Sequence, residues 1–362
     1  MSLLVGIIVV FLLIRLIISL VNVLAQTRLP RQKCHMQALV SVLIPARNES
    51  RNIASLLQQL SRSTYPHLEI LVYDDLSTDN TADIVLDYAR YNKNIKLIRG
   101  TTLPNGWLGK NHACDQLARK AKGDYLLFLD ADVTVKQDLL ANALSYLNYH
   151  KLSLLSLFPV QIMQSPGEKI TVPLMNWILT SLLPLPLIHK SRRSSLAAAN
   201  GQFMLFTANN YHHNLWHQRF KRQAVEDINI MRAVKRQQHK GHTLLSNGQI
   251  QCRMYTGFRE AINGFSKNTH EFFGKSYILM TVFALISSFG FIPVYYYGGI
   301  PGLGFYFFAA ILLRLFTSLA SRQNALRNIL LSPFQQFALL AITYKSMVNK
   351  FRGYGVWKGR KI

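Results

Sequence analysis

The chain has 362 residues, with 41 Lys and Arg against 17 Asp and Glu and a formal net charge of +24 at pH 7. That length holds one large catalytic core plus membrane segments, and the basic excess suits a phosphate-bearing partner such as a nucleotide or an anionic lipid. Cys34, Cys114 and Cys252 are widely spaced and form no CxxC pair, which suggests neither a disulfide framework nor a zinc site and fits a reducing, cytosolic catalytic domain.

Leu3 to Ala25 is nearly all apolar and long enough to span a bilayer, and it lacks the charged leader of a cleaved signal peptide. Arg15 near its middle costs about 3 kcal/mol, but the many flanking Leu, Ile, Val and Phe residues each return roughly 0.3–0.6 kcal/mol. Insertion therefore wins. Arg28, Arg31 and Lys33 follow, and the positive-inside rule places what comes next in the cytosol.

From Ala38 to about Leu157, short apolar runs alternate with helical patterns. Strands are expected at Leu39 to Ile44, Glu69 to Tyr73, Ile95 to Ile98 and Tyr125 to Leu129. Ile53, Leu56, Leu57 and Leu60 recur at helical spacing. Continuous apolar strands separated by helices imply a buried, mostly parallel sheet, which binds ligands at the carboxyl ends of its strands. Acids collect there: the first strand runs into Pro45-Ala-Arg-Asn-Glu49, the second into Asp74-Asp75, and the fourth into Asp130-Ala-Asp132. Crowded carboxylates repel unless a cation sits among them, and Mg²⁺ takes one or two carboxylates plus phosphate oxygens. Taken alone, the Asp-x-Asp pair also reads as a solvated turn, and Asp74-Asp75 as helix-capping acids. Gly106 to Ala113 precedes a helical run that would bring Lys110 to a diphosphate; the spacing is not that of a Walker A loop.

Ile170 to Ile188 is apolar but broken by Pro173, Pro184 and Pro186. It reads as an interfacial element with His189, Lys190, Arg192 and Arg193 at the headgroups, or as a buried core helix. Behind Asn200, Gly201 and Gln202 would let the chain pass close to a bound sugar, with Phe203 to Phe206 as a further strand. Arg219 to Arg222 reads as a mobile basic loop. Glu226-Asp227 opens an amphipathic helix, where Asp227 can serve as a general base or simply favour the helix dipole. Tyr277 to Tyr297 and Leu303 to Ala320 form a transmembrane hairpin about a turn at Gly298, Gly299, Pro301 and Gly302, with Arg314 snorkelling to the cytosolic side. Leu330 to Val348 reads as an interfacial helix before a basic tail.

The order Pro45-Ala-Arg-Asn-Glu49, Asp74 to Thr81, Gly109-Lys110, Asp130-Ala-Asp132, Gly201-Gln202 and Glu226-Asp227 resembles family 2 glycosyltransferases of the GT-A fold, over roughly Ala38 to Asn268. With the apolar spans and the closing Trp357-Lys-Gly-Arg360, the chain is most similar to the carotenoid (4,4'-diaponeurosporenoate) glycosyltransferase subgroup, then to ceramide and hopanoid glycosyltransferases. The resemblance implies an α/β fold with a Rossmann-like, mostly parallel sheet, one N-terminal transmembrane helix and a C-terminal transmembrane hairpin. It divides the chain into a transmembrane helix (1–26), a cytosolic transferase domain (27–270, with 170–190 interfacial), a transmembrane hairpin (271–328) and an interfacial helix with a basic tail (329–362). By position, Pro45, Glu49 and Asp74 would hold the donor nucleoside, and Lys110 would lie by the diphosphate. Asp130 and Asp132 would face Mg²⁺ or Mn²⁺, and Asp227 would be the base of an inverting transfer. Gly201 and Gln202 would pass the sugar, and Lys267 in Gly264-Phe-Ser-Lys-Asn268 would approach the diphosphate. The partners implied are a nucleotide-sugar donor, expected to be a UDP-sugar, a lipid-like acceptor and the membrane, with no nucleic acid. The chain departs from the family pattern at Leu76, where a glycine usually follows the paired aspartates, and in having no QxxRW motif. The second departure weighs against a processive polysaccharide synthase. A basic membrane protein binding anionic partners and a nucleotidyltransferase are the other readings.

Overall fold

The computed structural model describes residues 3–32, 34, 36–191, 193–352, 356–357 and 360–361. Lys33, Arg192 and Lys358-Gly359 of the closing motif lie outside the described residues. The chain divides into two compact units, one of Arg28–Val160 with Leu187–Cys252 and one of Met1–Thr27, Gln161–Pro186 and Arg253–Ile362.

The first unit is built on strands β1 (Val40–Ala46), β2 (Leu68–Asp74), β3 (Ile95–Arg99), β4 (Tyr125–Leu129), β5 (Val133–Val135), β6 (Leu154–Phe158), β7 (Val160–Gln161), β8 (Phe203–Thr207), β9 (Gly241–Leu245) and β10 (Ile250–Cys252). Seven of them make one sheet in the order β3-β2-β1-β4-β8-β6-β9. The pairs β1 with β2, β1 with β4, β2 with β3 and β6 with β9 are parallel. Only β8 runs against its neighbours β4 and β6. The reason lies in the apolar runs: every residue of β2 is buried, and Pro45 is the only one in β1 that is not, as a sheet covered on both faces demands.

Reversal of β8 matters for the site. Phe203 pairs with Leu129, so the start of β8 meets the end of β4. Gly201 and Gln202 thereby arrive at the same edge as the acids that follow β1, β2 and β4.

The helix Gly109–Lys120 lies against this sheet with Ala113, Cys114, Leu117 and Ala118 in one cluster with Leu43, Leu71, Leu126 and Phe128. Small residues at Ala113, Cys114 and Ala118 let the helix approach closely. Its first turn is fixed by the stretch expected as a mobile loop: Asn111 donates to the carbonyls of Phe220 and Gln223 at 2.9 and 3.0 Å, and Leu108 N–H to Lys221 O at 2.9 Å. The stretch is tied to the helix start because its backbone carbonyls take the Asn111 side-chain amide and the Leu108 N–H that the helix N-terminus leaves open. All three cysteines are free thiols.

The loops after β1 and β2 zip together. Asn48 Oδ1 accepts from Thr78 N–H at 2.8 Å, Glu49 N–H donates to Thr81 Oγ1 at 2.8 Å, and Asp75 N–H donates to Ala46 O at 2.8 Å. Leu76 sits between them at φ 55°, a left-handed conformation. The backbone thus keeps the shape that the family's glycine allows, and leucine bears a strain of about 1–2 kcal/mol there. Leu76→Gly relieves that strain at an entropic cost of about 0.5–1 kcal/mol. The variant is expected to unfold at an equal or slightly higher urea midpoint than wild type, and a clear fall in the midpoint would contradict the strain.

The second unit is helical. Leu3–Leu24 and Tyr277–Ala320 are long and apolar enough to cross a membrane. The latter comprises the helices Tyr277–Phe289 and Phe291–Ala320, and the second of these breaks at Gly299, with φ 59° and ψ −157°. A side chain at Gly290 would lie 3.1 Å from the Tyr306 hydroxyl, so the chain reverses at that break and forms a hairpin. Ile7, Val10, Ile14, Ile17, Ile278 and Phe308 are exposed apolar side chains on these helices. Pro173–Leu182 is an internal helix of this unit, with Leu174, Trp177 and Ile178 buried. Ser332–Arg352 is a single helix. Arg314, expected to snorkel, is instead buried, because Gln335 and the Trp177 ring hold its guanidinium inside the unit.

Candidate active site

Three chain segments meet around one ammonium group. Lys110, in the first turn of the helix Gly109–Lys120, places Nζ 2.8 Å from Asp130 Oδ1 and 3.6 Å from Glu226 Oε1. Asp130 follows β4, and Glu226 opens the helix Glu226–Arg236. Asp227 is the next residue: its Oδ2 accepts from Gly201 N–H and its Oδ1 from Ile228 N–H, both at 2.8 Å. Gly201 closes the cluster. A side chain there would stand 3.1 Å from Lys110 Nζ, 3.3 Å from Glu226 Oε1 and 3.6 Å from Asp227 Oδ2. Glycine at this position keeps the backbone close to three charged groups without filling the space between them.

Burial pushes the Glu226 carboxyl up to about 7; Lys110 opposes this and Asp227 adds to it. Burial also raises Asp227, while the Ile228 N–H, Lys110 and the Gly201 N–H hold it down. Glu226 is therefore the acid that holds its proton near neutrality. Asp227 has two backbone donors to stabilise its charge, and each oxygen keeps a further lone pair for a substrate hydroxyl. Two neighbouring carboxyls with environments this different can divide acid and base roles.

A second group of residues lies around Cys252. Gln202 Nε2 donates to its Sγ at 2.8 Å. Burial pushes this thiol well up; Asp132 adds to the rise, the Gln202 donor opposes it, and Asp130 and Glu49 add further. Asp132, Asp130 and Glu49 are thus close enough for their fields to act on one sulfur. Asp74, at the end of β2, pairs in register with Ala46, and Pro45 with Tyr73. Asp74 Oδ1 caps the turn by accepting from Ser77 N–H at 3.3 Å. Burial would raise the Asp79 carboxyl in the same loop, but bonds from Thr81 and Ser50 outweigh it and hold Asp79 at about 2.

Of the residues singled out in the sequence, Lys110, Asp130, Gly201 and Asp227 come together directly. Gln202 meets Cys252, whose thiol also feels the charges of Asp132 and Glu49, and Pro45 and Asp74 stand on neighbouring strands at the same sheet edge. Lys267 lies in the helix Phe258–Asn268 of the helical unit. Glu226 and Cys252 are the residues that sequence reasoning missed. The only signal for Glu226 was its place beside Asp227, and for Cys252 there was none. Among the described residues no three His, Cys, Asp or Glu side chains are grouped to hold a metal ion.

Residues 41–209 match the profile of glycosyl transferase family 2, which covers β1 to β8 and therefore the acids after β1, β2 and β4. The chain carries a family 2 glycosyltransferase domain. It is 28% identical over 232 residues to the 4,4'-diaponeurosporenoate glycosyltransferase of Staphylococcus haemolyticus, a match covering 63% of this chain. Over 103 residues, 28% of the chain, it is 34% identical to a beta-monoglucosyldiacylglycerol synthase of Nostoc sp.. This chain spans 60% of the length of the first relative and 22% of the second. A mannosyltransferase of Pyrobaculum calidifontis, solved with GDP-Man and Mn²⁺, superposes on 96% of this chain and all of its own, with a TM-score of 0.53 at 18% identity. The shared fold is GT-A, in which the domain's mixed sheet presents its acids along one edge.

Proposed function

We propose that this family 2 domain transfers a sugar from a nucleotide-sugar donor, a UDP-sugar, to a hydroxyl of a lipid or isoprenoid acceptor, with inversion at the sugar. The observation that carries the reading is the meeting of Lys110, Asp130, Glu226 and Asp227 around Gly201, where β4 ends and β8 begins. Pro45, Glu49 and Asp74 line the nucleoside end, and Gln202 lies beside Gly201 at the sugar. Lys110 meets the diphosphate. Asp227 accepts the proton of an acceptor hydroxyl as the hydroxyl oxygen attacks the sugar carbon and the diphosphate departs.

The donor set fits a hard divalent cation, Mg²⁺ or Mn²⁺. Asp130 and Asp132 supply oxygen only, and with no all-protein cage among the described residues the substrate diphosphate and water would complete the shell. Asp132 and Asp130 would hold the ion, and when bound it neutralises charge on the leaving diphosphate. The lipid acceptor is supported by relatives whose names carry a carotenoid acid and a diacylglycerol lipid, and by the two apolar helical segments. A multi-pass membrane location with the transferase domain cytosolic is supported by Arg28 and Arg31 directly after the first apolar helix.

Membranes holding the chain, incubated with radiolabelled UDP- and GDP-sugars and then extracted for lipid, test this. Label entering the lipid phase from a UDP-sugar, and lost on chelation of divalent ions, is the expected result. Label in a long water-soluble polymer would mark a processive synthase instead, and no transfer from any donor would end the proposal.

A further inference from the structure

The helical unit holds two buried cations and offers them no counter-charge. Arg15 and Arg314 are 2% and 5% exposed. Arg15 donates to Ser181 Oγ at 3.2 and 3.1 Å and to Ser287 Oγ at 3.0 Å, and Arg314 Nη1 donates to Gln335 Oε1 at 2.8 Å. Both guanidinium carbons lie 4.2 Å from the centre of the Trp177 ring. Among the described residues every partner is neutral.

The acids of this unit are Glu168, Glu260 and Glu271, and no Asp or Glu follows Glu271 in the sequence. Each has other business. Glu168 pairs with Arg253 at 2.7 Å, Glu260 accepts from Thr256 at 2.8 Å, and Glu271 lies 3.7 Å from Lys275. Moreover, two donors point at nothing: Arg314 Nη2 and Trp177 Nε1 are buried with no hydrogen-bond acceptor among the described residues. Cation–π stacking and hydroxyl or amide acceptors offset only part of the desolvation of a guanidinium, and an uncompensated buried charge is strongly destabilising. Two such charges around one indole, with two open donors, describe half of an anion site.

The walls around it say how the anion travels. Phe11 and Phe283 flank Arg15, at 5.4 and 4.7 Å from ring centre to guanidinium carbon, and Ile178 and Leu313 belong to the same buried apolar cluster as Trp177. A small hydrated ion would shed its water to enter such surroundings with nothing to offset the loss. An anion on an apolar tail brings its own apolar area to bury.

We propose that Arg15, Trp177 and Arg314 form a binding site for an amphiphile with an oxyanion head, a phosphate or carboxylate on an apolar chain. Arg314 Nη2 and Trp177 Nε1 donate to the head, and Arg15 supplies the second positive charge. The site does not depend on sugar transfer, and its test reads binding alone.

The full chain, purified in dodecyl maltoside, is titrated with dodecyl phosphate, dodecanoate, inorganic phosphate and acetate, following thermal unfolding and ligand retention in native mass spectra. At least one tailed anion is expected to raise Tm and to bind at least about tenfold more tightly than its tailless counterpart. The tighter of the two tailed anions assigns the head. Arg314→Gln is expected to weaken that binding by about tenfold or more. Should that variant not fold, Arg314→Lys, which keeps the charge but loses the second donor, and Trp177→Phe, which keeps the stack but loses the N–H, carry the same test with a loss of at least about threefold. Unchanged affinity in the variants that fold, or inorganic phosphate binding as tightly as dodecyl phosphate, would overturn the proposal.

Discussion

Replacing Asp227 with asparagine is expected to lower sugar transfer by about 10²–10⁴-fold, the range that general-base removal commands, while donor binding changes by no more than a few-fold. Asparagine keeps the size and can still accept from Gly201 N–H through its amide oxygen, the contact Asp227 makes at 2.8 Å. What it loses is the charge, the capacity to take a proton and the bond that Asp227 Oδ1 accepts from Ile228 N–H at 2.8 Å. Glu226→Gln is the control. Glu226 stands 3.6 Å from Lys110, and burial lifts it to about 7, so near neutral pH it already spends much of its time protonated. Removing that carboxyl is expected to cost roughly tenfold or less, far below the loss assigned to a general base. Single-turnover transfer with saturating donor, beside calorimetric titration of the donor nucleotide, separates chemistry from binding. If Glu226→Gln proves the inactive variant and Asp227→Asn retains most of the rate, the roles of the two neighbours are reversed.

The divergence between those two carboxyls was only half legible in the sequence. Leu39 to Ile44, Glu69 to Tyr73, Ile95 to Ile98 and Tyr125 to Leu129 agree with β1 to β4 to within about a residue or two, because continuous apolar runs ending in acids admit few alternatives. The acids themselves were therefore placed at one sheet edge in advance. Nothing local announced that β8 would run antiparallel between β4 and β6. Yet that reversal carries Gly201 onto Asp227. Glu226 read as a helix-start acid because its partner, Lys110, lies more than a hundred positions earlier. Cys252 drew no reading beyond a widely spaced cysteine for the same reason, since its neighbours come from three other segments. Leu76 marks the opposite failure. The sequence broke the family's glycine rule, but the zipped loops between β1 and β2 imposed the left-handed backbone regardless.

Lys110→Met is expected to weaken diphosphate binding by roughly 10–100-fold, about 1.4–2.7 kcal/mol, and to destabilise the fold by about 1–3 kcal/mol, less than a fully buried pair because Lys110 and Asp130 remain 24% and 25% exposed. Methionine matches the stem of lysine, so packing against the sheet survives and the change is mainly electrostatic. Without the ammonium, Asp130, Glu226 and Asp227 face one another with less to hold their charged forms. Lys110 is what opposes burial at Glu226, and it is among the groups that hold Asp227 down. Both carboxyls then titrate still higher in the folded chain than in the unfolded one. A carboxyl raised on folding binds more protons in the native state, so its contribution falls as pH rises through the interval between unfolded and folded values. The stability deficit of Lys110→Met should therefore be larger near pH 8 than near pH 5, where protonation relieves the repulsion among carboxyls whose ordinary values lie near 4. Urea midpoints of wild type and variant across that interval measure it directly. A deficit that stays flat with pH would mean that Lys110 acts through packing and not through the three acids it faces.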